Sequence, residues 1–285
     1  GDCAMTELTE EVLARIAPGT NPRLREVATA LIRHLHDFAR EVRLTEAEWM
    51  AAIDFLTRTG QAVTPTRQEF ILLSDLLGLS SLVISLNHPP EAGSLEASVL
   101  GPFHLPGAPA VAHGAELPGA MPGTPTLYRG RVTNTAGKPL AGATLDIWSS
   151  DGEGSYDVQL DGPFESRGRG VATTDADGRY AFWSVRPADY PVPTDGPPGE
   201  LMRALGRDGM RPGHLHFIAA APGHESVTTQ IFDSASPHLR RDAVFGVRDS
   251  LVGDFVAHPP GTAPDGRALA VPYCTVDYDF CLRAA

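Results

Sequence analysis

The chain has 285 residues, 42% of them hydrophobic and 20% charged, an ordinary balance for a globular protein. That length suffices for one large domain, or one domain with a sizeable appendage, without disulfide or metal staples. A formal net charge of −12 argues against nucleic acid and against an anionic membrane surface as partners.

No run of about 18 apolar residues is present and no signal peptide opens the chain, so a cytoplasmic protein is expected. Gly1-Asp2-Cys3-Ala4 reads as a remnant ahead of a start at Met5. Cys3, Cys274 and Cys281 have no metal-type spacing and are expected to be free thiols in a reducing compartment.

The first part of the chain carries helical periodicity. Leu24, Val27, Ala28, Leu31, Leu35, Phe38, Ala39 and Val42 form one apolar stripe, with Pro22 where a first-turn proline is tolerated. Thr45 with Glu48 has capping-box spacing and predicts a helix that stops near Gly60. Thr66 with Glu69 repeats the spacing before Phe70-Ile71-Leu72-Leu73, and a further apolar stretch reaches Leu86. His34 and His36 are two apart on a helix, roughly 200° around its axis, so they cannot share a ligand and read as a solvated face.

After His88-Pro89-Pro90 the composition changes, and most of the 25 prolines lie beyond this point. Leu127 to Val132, Ala143 to Trp148, Arg179 to Trp183, His214 to Ala219 and Val227 to Phe232 read as strands, with a tight turn at Asp177-Gly178. Short strands with frequent turns predict a mainly β protein, a β-sandwich over residues 96–285 behind a helical region over residues 1–95.

The sharpest chemical feature is Arg211-Pro-Gly-His-Leu-His-Phe217. On a strand His214 and His216 point the same way, about 7 Å apart, which suits convergence on one metal. Two solvated histidines on an edge strand fit the same pattern. His88, His104, His113, His224, His238 and His258 are isolated and receive no role. Tyr156 follows the glycine-rich Trp148-to-Ser155 segment, and Tyr190 lies in the proline-stiffened Arg186-to-Pro193. Such tyrosines either pack a loop or, as phenolates, offer a hard anionic oxygen to Fe(III).

These residues resemble the intradiol ring-cleavage dioxygenases. The likeness runs from Arg67-Gln-Glu-Phe-Ile-Leu-Leu-Ser-Asp75 to Val244-Phe-Gly-Val-Arg-Asp-Ser250, and is most specific at Gly142-to-Tyr156, Tyr180-to-Pro193, Arg211-to-Phe217 and Gln230-Ile-Phe232. The resemblance implies one mononuclear Fe(III) held by Tyr156, Tyr190, His214 and His216 with a bound hydroxide. Two phenolates and a hydroxide neutralise the ion, which suits a desolvated pocket. Tyr156 resembles the ligand that leaves when the diol binds. The family reaction inserts oxygen between the two hydroxylated ring carbons, and the resulting anhydride is hydrolysed to a muconate-type diacid. Arg211 resembles the arginine that stabilises charge developing on the substrate, and Gln230 a residue that hydrogen-bonds near the iron.

Within the family the long helical region resembles the catechol 1,2-dioxygenase group, where it forms a homodimer interface that can hold a lipid, and argues against protocatechuate. Leu72-Leu-Ser-Asp75 is most similar to hydroxyquinol-cleaving members, since Asp75 can accept a hydrogen bond from a third hydroxyl. The expected product is 3-hydroxy-cis,cis-muconate, or maleylacetate; catechol or chlorocatechol, giving cis,cis-muconates, is the alternative. By resemblance Leu72, Val99, Leu100, Gly101, Pro102, Phe103, Val192, Pro193 and Val244 also line the pocket. Leu100 replaces an aromatic and leaves more room, enough to admit a halogenated ring.

Two other classes stay open at this level. Gly130-to-Thr144 and Thr174-to-Phe182 also look like prealbumin-type binding or adhesion sandwiches. The histidine pair with Asp157 or Glu165 would make a zinc or Fe(II) site for hydrolysis or extradiol cleavage.

Overall fold

Capping and periodicity set the helices. The computed structural model describes residues 2–285, with side chains described from residue 7 onward. The helices are α1 (Asp2–Ala14), α2 (Pro22–Val42), α3 (Glu46–Gln61), α4 (Glu69–Leu76) and α5 (Leu79–Asn87). Asn21 Oδ1 accepts from the backbone N–H of Arg23 and Leu24, and Pro22 takes the first turn, where its missing N–H costs nothing. The Thr45 capping box forms: Glu48 Oε2 accepts from Thr45 N at 2.9 Å, and Thr45 Oγ1 accepts from Glu48 N at 3.2 Å.

The second expected box does not form. Gln68 caps α4 instead, accepting from Phe70 N at 3.2 Å, while the buried Glu69 carboxylate goes to the Arg67 guanidinium. A buried carboxylate gains more from a guanidinium than from one backbone N–H. The apolar stretch to Leu86 also divides, because Gly78 takes a φ of +75° and bends α5 by 82° from α4. No single described helix is long and apolar enough to cross a membrane.

Packing divides the chain after Thr57, inside α3, so α4 and α5 belong to the unit that carries the strands. In the first unit α1 lies on α2, with Thr9 Oγ1 at 2.8 Å from His36 Nδ1 and Arg33 bonded to Glu10 at 2.8 Å. His36 is therefore half-buried, a departure from the solvated face expected for the pair, whereas His34 is exposed. Leu24, Val27, Leu31, Leu35, Phe38 and Val42 stay about half exposed along α2 in the single chain.

In the second unit the short apolar runs pair into sheets. In chain order they are β1 (Ala110–Val111), β2 (Pro125–Asn134), β3 (Thr144–Ser149), β4 (Arg169–Thr173), β5 (Arg179–Val185) and β6 (Tyr190–Pro191). After α6 (Pro197–Ala204) come β7 (Met210–Arg211), β8 (His214–Ala220), β9 (Val227–Asp233), β10 (Val252–Gly253) and β11 (Val256–His258). The last are β12 (Gly261–Thr262), β13 (Ala268–Leu269), β14 (Tyr273–Asp277) and β15 (Phe280–Leu282). All five expected strands form. One sheet runs β1-β4-β3-β8-β9-β10; the other runs β11-β14-β2-β15, with β5 also on β2. Cys274 and Cys281 carry free thiols, as expected; the side chain of Cys3 lies outside the described residues.

Alternation decides what each face holds. Leu145 and Ile147 of β3, Leu215, Phe217 and Ala219 of β8, and Val227 and Ile231 of β9 bury one face of the larger sheet. They meet Tyr128, Val132, Phe182, Val276, Phe280 and Leu282 from the second sheet, so the unit is a sandwich. Trp148, His214 and His216, one step out of phase, turn to the opposite face. There Trp148 joins Phe103, Tyr156 and Tyr190 in a separate cluster.

Phe280 is fully buried, with ring centroids 5.0 Å from Phe217 and 5.5 Å from Tyr180. Phe280→Ala is expected to destabilise the strand-bearing unit by about 3–5 kcal/mol, read from its denaturant midpoint. A loss below about 1 kcal/mol would show that β15 does not close the core.

Candidate functional site

Strand register assembles the outer face. Arg169 of β4 pairs with Trp148 of β3, Trp148 with His216 of β8, and His216 with Gln230 of β9, giving one row across four strands. The Trp148 ring lies on the His216 imidazole, with centroids 4.7 Å apart and planes 10° apart. β6 and β7 pair Tyr190 with Arg211. Gly213 N donates to Asp189 Oδ1 at 2.7 Å, which ties the start of β8 to the residue before Tyr190.

Tyr156 arrives on a turn held by Asp151 Oδ1, which accepts from Glu153 N at 2.9 Å and Ser155 N at 3.0 Å. Gly154 has a φ of +89°, and a Cβ there would stand 2.8 Å from Tyr190 Cβ, so only glycine lets the turn close on Tyr190.

Four donor atoms converge. Tyr156 Oη is 3.4 Å from Tyr190 Oη and 3.0 Å from His216 Nε2, and the two histidine Nε2 atoms are 3.1 Å apart. His214 Nδ1 lies 2.7 Å from the Pro212 carbonyl, an arrangement that requires the proton on Nδ1 and leaves the Nε2 lone pair aimed into the cluster. All four side chains are buried. Burial, with Arg211 nearby, holds His214 down at about 3, and burial with His214 beside it keeps His216 well below the usual range. Burial likewise pushes both phenols up, Tyr156 further through Tyr190, while Arg211 opposes the rise at Tyr190.

Neutral imidazoles with lone pairs turned inward fit a bound cation. Donors about 2.0–2.1 Å from one first-row metal ion sit about 3 Å from each other, as these do. The set contains no carboxylate or thiolate, which suits a hard, strongly Lewis-acidic ion that can hold phenolates at neutral pH.

The carboxylates proposed for a zinc or Fe(II) site are committed elsewhere. Both oxygens of buried Asp157 bind Arg169, at 2.7 and 2.6 Å, and Glu165 is exposed and bonded to Arg167 at 2.9 Å. No group of three His, Cys, Asp or Glu side chains converges among the described residues. That alternative is therefore set aside.

Arg211 stands at the edge of the donor cluster, its Nη1 3.0 Å from His214 Nε2. Its Nη2 donates to Gln230 Oε1 at 2.7 Å, and Gln230 Nε2 donates to the Val99 carbonyl at 2.6 Å. The residues expected to line the pocket lie on two sides. Leu72, Val99, Val192 and Val244 share one buried apolar cluster, while Phe103 stacks on Tyr156 with centroids 4.4 Å apart and Leu100 packs beside them. A Cβ at Gly101 would come within 3.3 Å of His216 Cε1. Half-buried Pro102 sits between Gly101 and Phe103, and Pro193 joins Phe103 and Val192 along a cavity of about 510 Å³.

Asp75 is 1% exposed, and its Oδ1 has no partner among the described atoms. Burial raises its carboxyl from 3.8 to about 6, with Ser80 and Arg211 opposing the rise and Asp242 adding to it.

Sequence reasoning did not single out Trp148, Arg169, Asp189 or Asp242. Trp148 could have been found from the two-residue alternation of β3. The other three gain their place from partners distant along the chain.

A family model described as Dioxygenase matches residues 99–284, and one described as Catechol dioxygenase N terminus matches residues 21–94. The chain is 51% identical to 6-chlorohydroxyquinol 1,2-dioxygenase of Cupriavidus pinatubonensis, over 97% of this chain and 96% of that protein. It is 44% identical to hydroxyquinol 1,2-dioxygenase of Nocardioides simplex, over 98% of this chain and 95% of that one. The solved structure of hydroxyquinol 1,2-dioxygenase from Pseudomonas putida DLL-E4 matches with a TM-score of 0.88 at 39% identity, covering 100% of both chains. Likeness over this extent also sets aside the binding or adhesion sandwich.

The Asp75 environment gives a pH prediction. A carboxyl raised in the folded state is bound to its proton more tightly there than in the unfolded chain. Stability is therefore lost as pH rises from 3.8 to about 6, by about 3 kcal/mol in all. Asp75→Asn is expected to raise the melting temperature at pH 8 more than at pH 4; equal gains would place Asp75 in a solvated setting.

Proposed function

The chain belongs to the intradiol ring-cleavage dioxygenase family, and on that premise we propose that it opens hydroxyquinol (benzene-1,2,4-triol) between its adjacent hydroxylated carbons. Both atoms of O2 enter the product, 3-hydroxy-cis,cis-muconate, the enol form of maleylacetate. The observation that carries this reading is the convergence of two phenols and two imidazoles beside Arg211, with the Asp75 carboxyl buried nearby.

Tyr156, Tyr190, His214 and His216 would hold one ferric ion, which when bound makes the ring carbons of the diol reactive towards O2. Of these four, Tyr156 would be the one that gives way to the substrate. Burial holds its Oη well above the ordinary phenol range, so the freed phenolate takes a proton from a diol hydroxyl. Arg211 Nη1 supports the negative charge that builds on the substrate oxygens, and Gln230 steadies the guanidinium. Leu72, Val99, Val192 and Val244 exclude water from the ring.

Asp75 accepts a hydrogen bond from the third hydroxyl. Catechol has no such donor and would leave this buried carboxylate unpaired, so it is the weaker substrate. Leu100 leaves space for a ring chlorine, in keeping with the 51% identical 6-chlorohydroxyquinol 1,2-dioxygenase of Cupriavidus pinatubonensis.

In a cytoplasmic homodimer the helical region, residues 1–95, would carry the dimer contact while its α4 also supplies Leu72 and Asp75 to the catalytic site borne by residues 96–285. The exposed apolar stripe of α2 supports a second copy, and a lipid chain, as the groups that cover it.

The purified iron-loaded protein is expected to be coloured, because phenolate-to-Fe(III) charge transfer absorbs visible light. The band should shift when hydroxyquinol is added without oxygen. Tyr190→Phe and His214→Ala should each give folded, colourless, inactive protein, and activity in either would remove that residue from the site. Asp75→Ala is expected to lower kcat/KM for hydroxyquinol at least tenfold more than for catechol; equal losses would remove Asp75 from selectivity and return catechol as the substrate.

A further inference from the structure

We infer that Asp242 is the positioning residue that aims Arg211 at the reacting diol, an inference that rests on the intradiol reading above. The Arg211 guanidinium is 3% exposed, so bulk solvent does not orient it. Arg211 Nε donates to Asp242 Oδ1 at 2.8 Å and Nη2 to Asp242 Oδ2 at 3.1 Å, a fork that fixes the plane of the guanidinium. Gln230 takes the remaining reach of Nη2. That leaves Nη1 directed at the four-donor cluster, 3.0 Å from His214 Nε2.

Asp242 is itself held from behind. Its Oδ2 accepts from Gly246 N at 2.9 Å and its Oδ1 from Val244 N at 3.3 Å. The chain of contacts then closes on itself. Ser98 Oγ donates to the Gly246 carbonyl at 2.6 Å, the next residue, Val99, accepts from Gln230 Nε2 at 2.6 Å, and Gln230 accepts from Arg211. Every link in this ring is buried, so Arg211 cannot swing without breaking a bond that no solvent replaces. The ring also contains Val99 and adjoins Val244, two walls of the apolar pocket. One carboxylate therefore sets both the aim of the cation and the backbone position of a wall.

Pairing has a second consequence. Burial alone opposes charge on either group, and the mutual contact keeps Arg211 protonated and Asp242 ionised. The pair presents the pocket with a directed N–H and little net charge. Buried Arg169 and Asp157 are also paired, but Asp157 further accepts from Val158 N and Arg167 N and thereby anchors the loop after Tyr156. An arm directed into the donor cluster distinguishes Arg211.

An interaction that acts through Arg211 must vanish when Arg211 is gone. The test compares Asp242→Asn, Arg211→Gln and the double variant, all iron-loaded, by oxygen uptake with hydroxyquinol, anaerobic hydroxyquinol binding and thermal melting. Asp242→Asn is expected to lower kcat at least tenfold, with KM and the anaerobic Kd within threefold of wild type, because a mis-aimed guanidinium fails the transition state more than the bound diol. In the Arg211→Gln background the same substitution should change kcat by less than threefold. A tenfold loss in both backgrounds would show a general structural role and overturn the inference. If Asp242→Asn alone does not fold, the double variant, which leaves no unpaired buried charge, carries the same comparison with Arg211→Gln. A wild type that forms no ring-opened acid from hydroxyquinol or catechol defeats the intradiol reading and this inference with it; an active wild type with additive losses defeats this inference alone.

Discussion

In β8 the pleat sends Leu215, Phe217 and Ala219 into the sandwich core and turns His214 and His216 to the other face of the same sheet. The two sets cannot be moved independently. A slip of one residue would place two imidazoles among Phe182, Val276 and Phe280 and put a phenylalanine where the donors meet. The apolar packing of the sandwich thus holds the histidines in place from the other face of the sheet. Antiparallel pairing extends the same control sideways, because the rung that places His216 also places Trp148 and Gln230 beside it.

Burial is the second constraint, and it acts on every polar group of this face. Taking phenols, imidazoles, a guanidinium and carboxylates out of water disfavours their charged forms. The protein answers with neutral histidines, protonated phenols and two closely matched Arg–Asp pairs, Arg169–Asp157 and Arg211–Asp242. A trivalent ion with two phenolates and a hydroxide, or with a diolate and one phenolate, adds little net charge to such a pocket. Asp75 is the exception. Its carboxyl is buried with one oxygen unpartnered, and it disfavours the fold above about pH 6. The proposed contact with a substrate hydroxyl would supply the missing partner.

The apolar wall connects these groups to the helical part of the chain. Leu72 and Leu76 of α4 pack with Val99, Val192 and Val244, and Arg207 donates to the carbonyls of Leu76 and Ala243. The helix bearing Asp75 and the loop bearing Asp242 are thereby held to one another. The carboxyl of Asp75 and the carboxylate paired with Arg211 thus rest on the same packed cluster.

Local features were legible in the chain. The strands β2, β3, β5, β8 and β9, the 3.6-residue stripe of α2 and the Thr45 capping box each depend on neighbours a few positions apart, and each forms as read. The likeness of Tyr156, Tyr190, His214 and His216 to a known donor set came from motif order, and folding brings these four together. Partnership across the chain was not legible. Glu69 leaves its expected capping role for Arg67, which also reaches Asp195, and His36 is half-buried with Thr9 of α1 beside it. Asp157 follows a candidate donor and reads as a possible ligand until Arg169 takes both its oxygens. Asp242 lies in a plain Arg-Arg-Asp run whose meaning appears only when Arg211, 31 residues earlier, folds against it. Strands, helices and the chemical types available to the site follow from the order of residues, because pleat and helix period are short-range. Which charges pair, and where the Arg211 guanidinium points, emerges only on folding, because burial makes each pairing depend on groups that the chain order keeps apart.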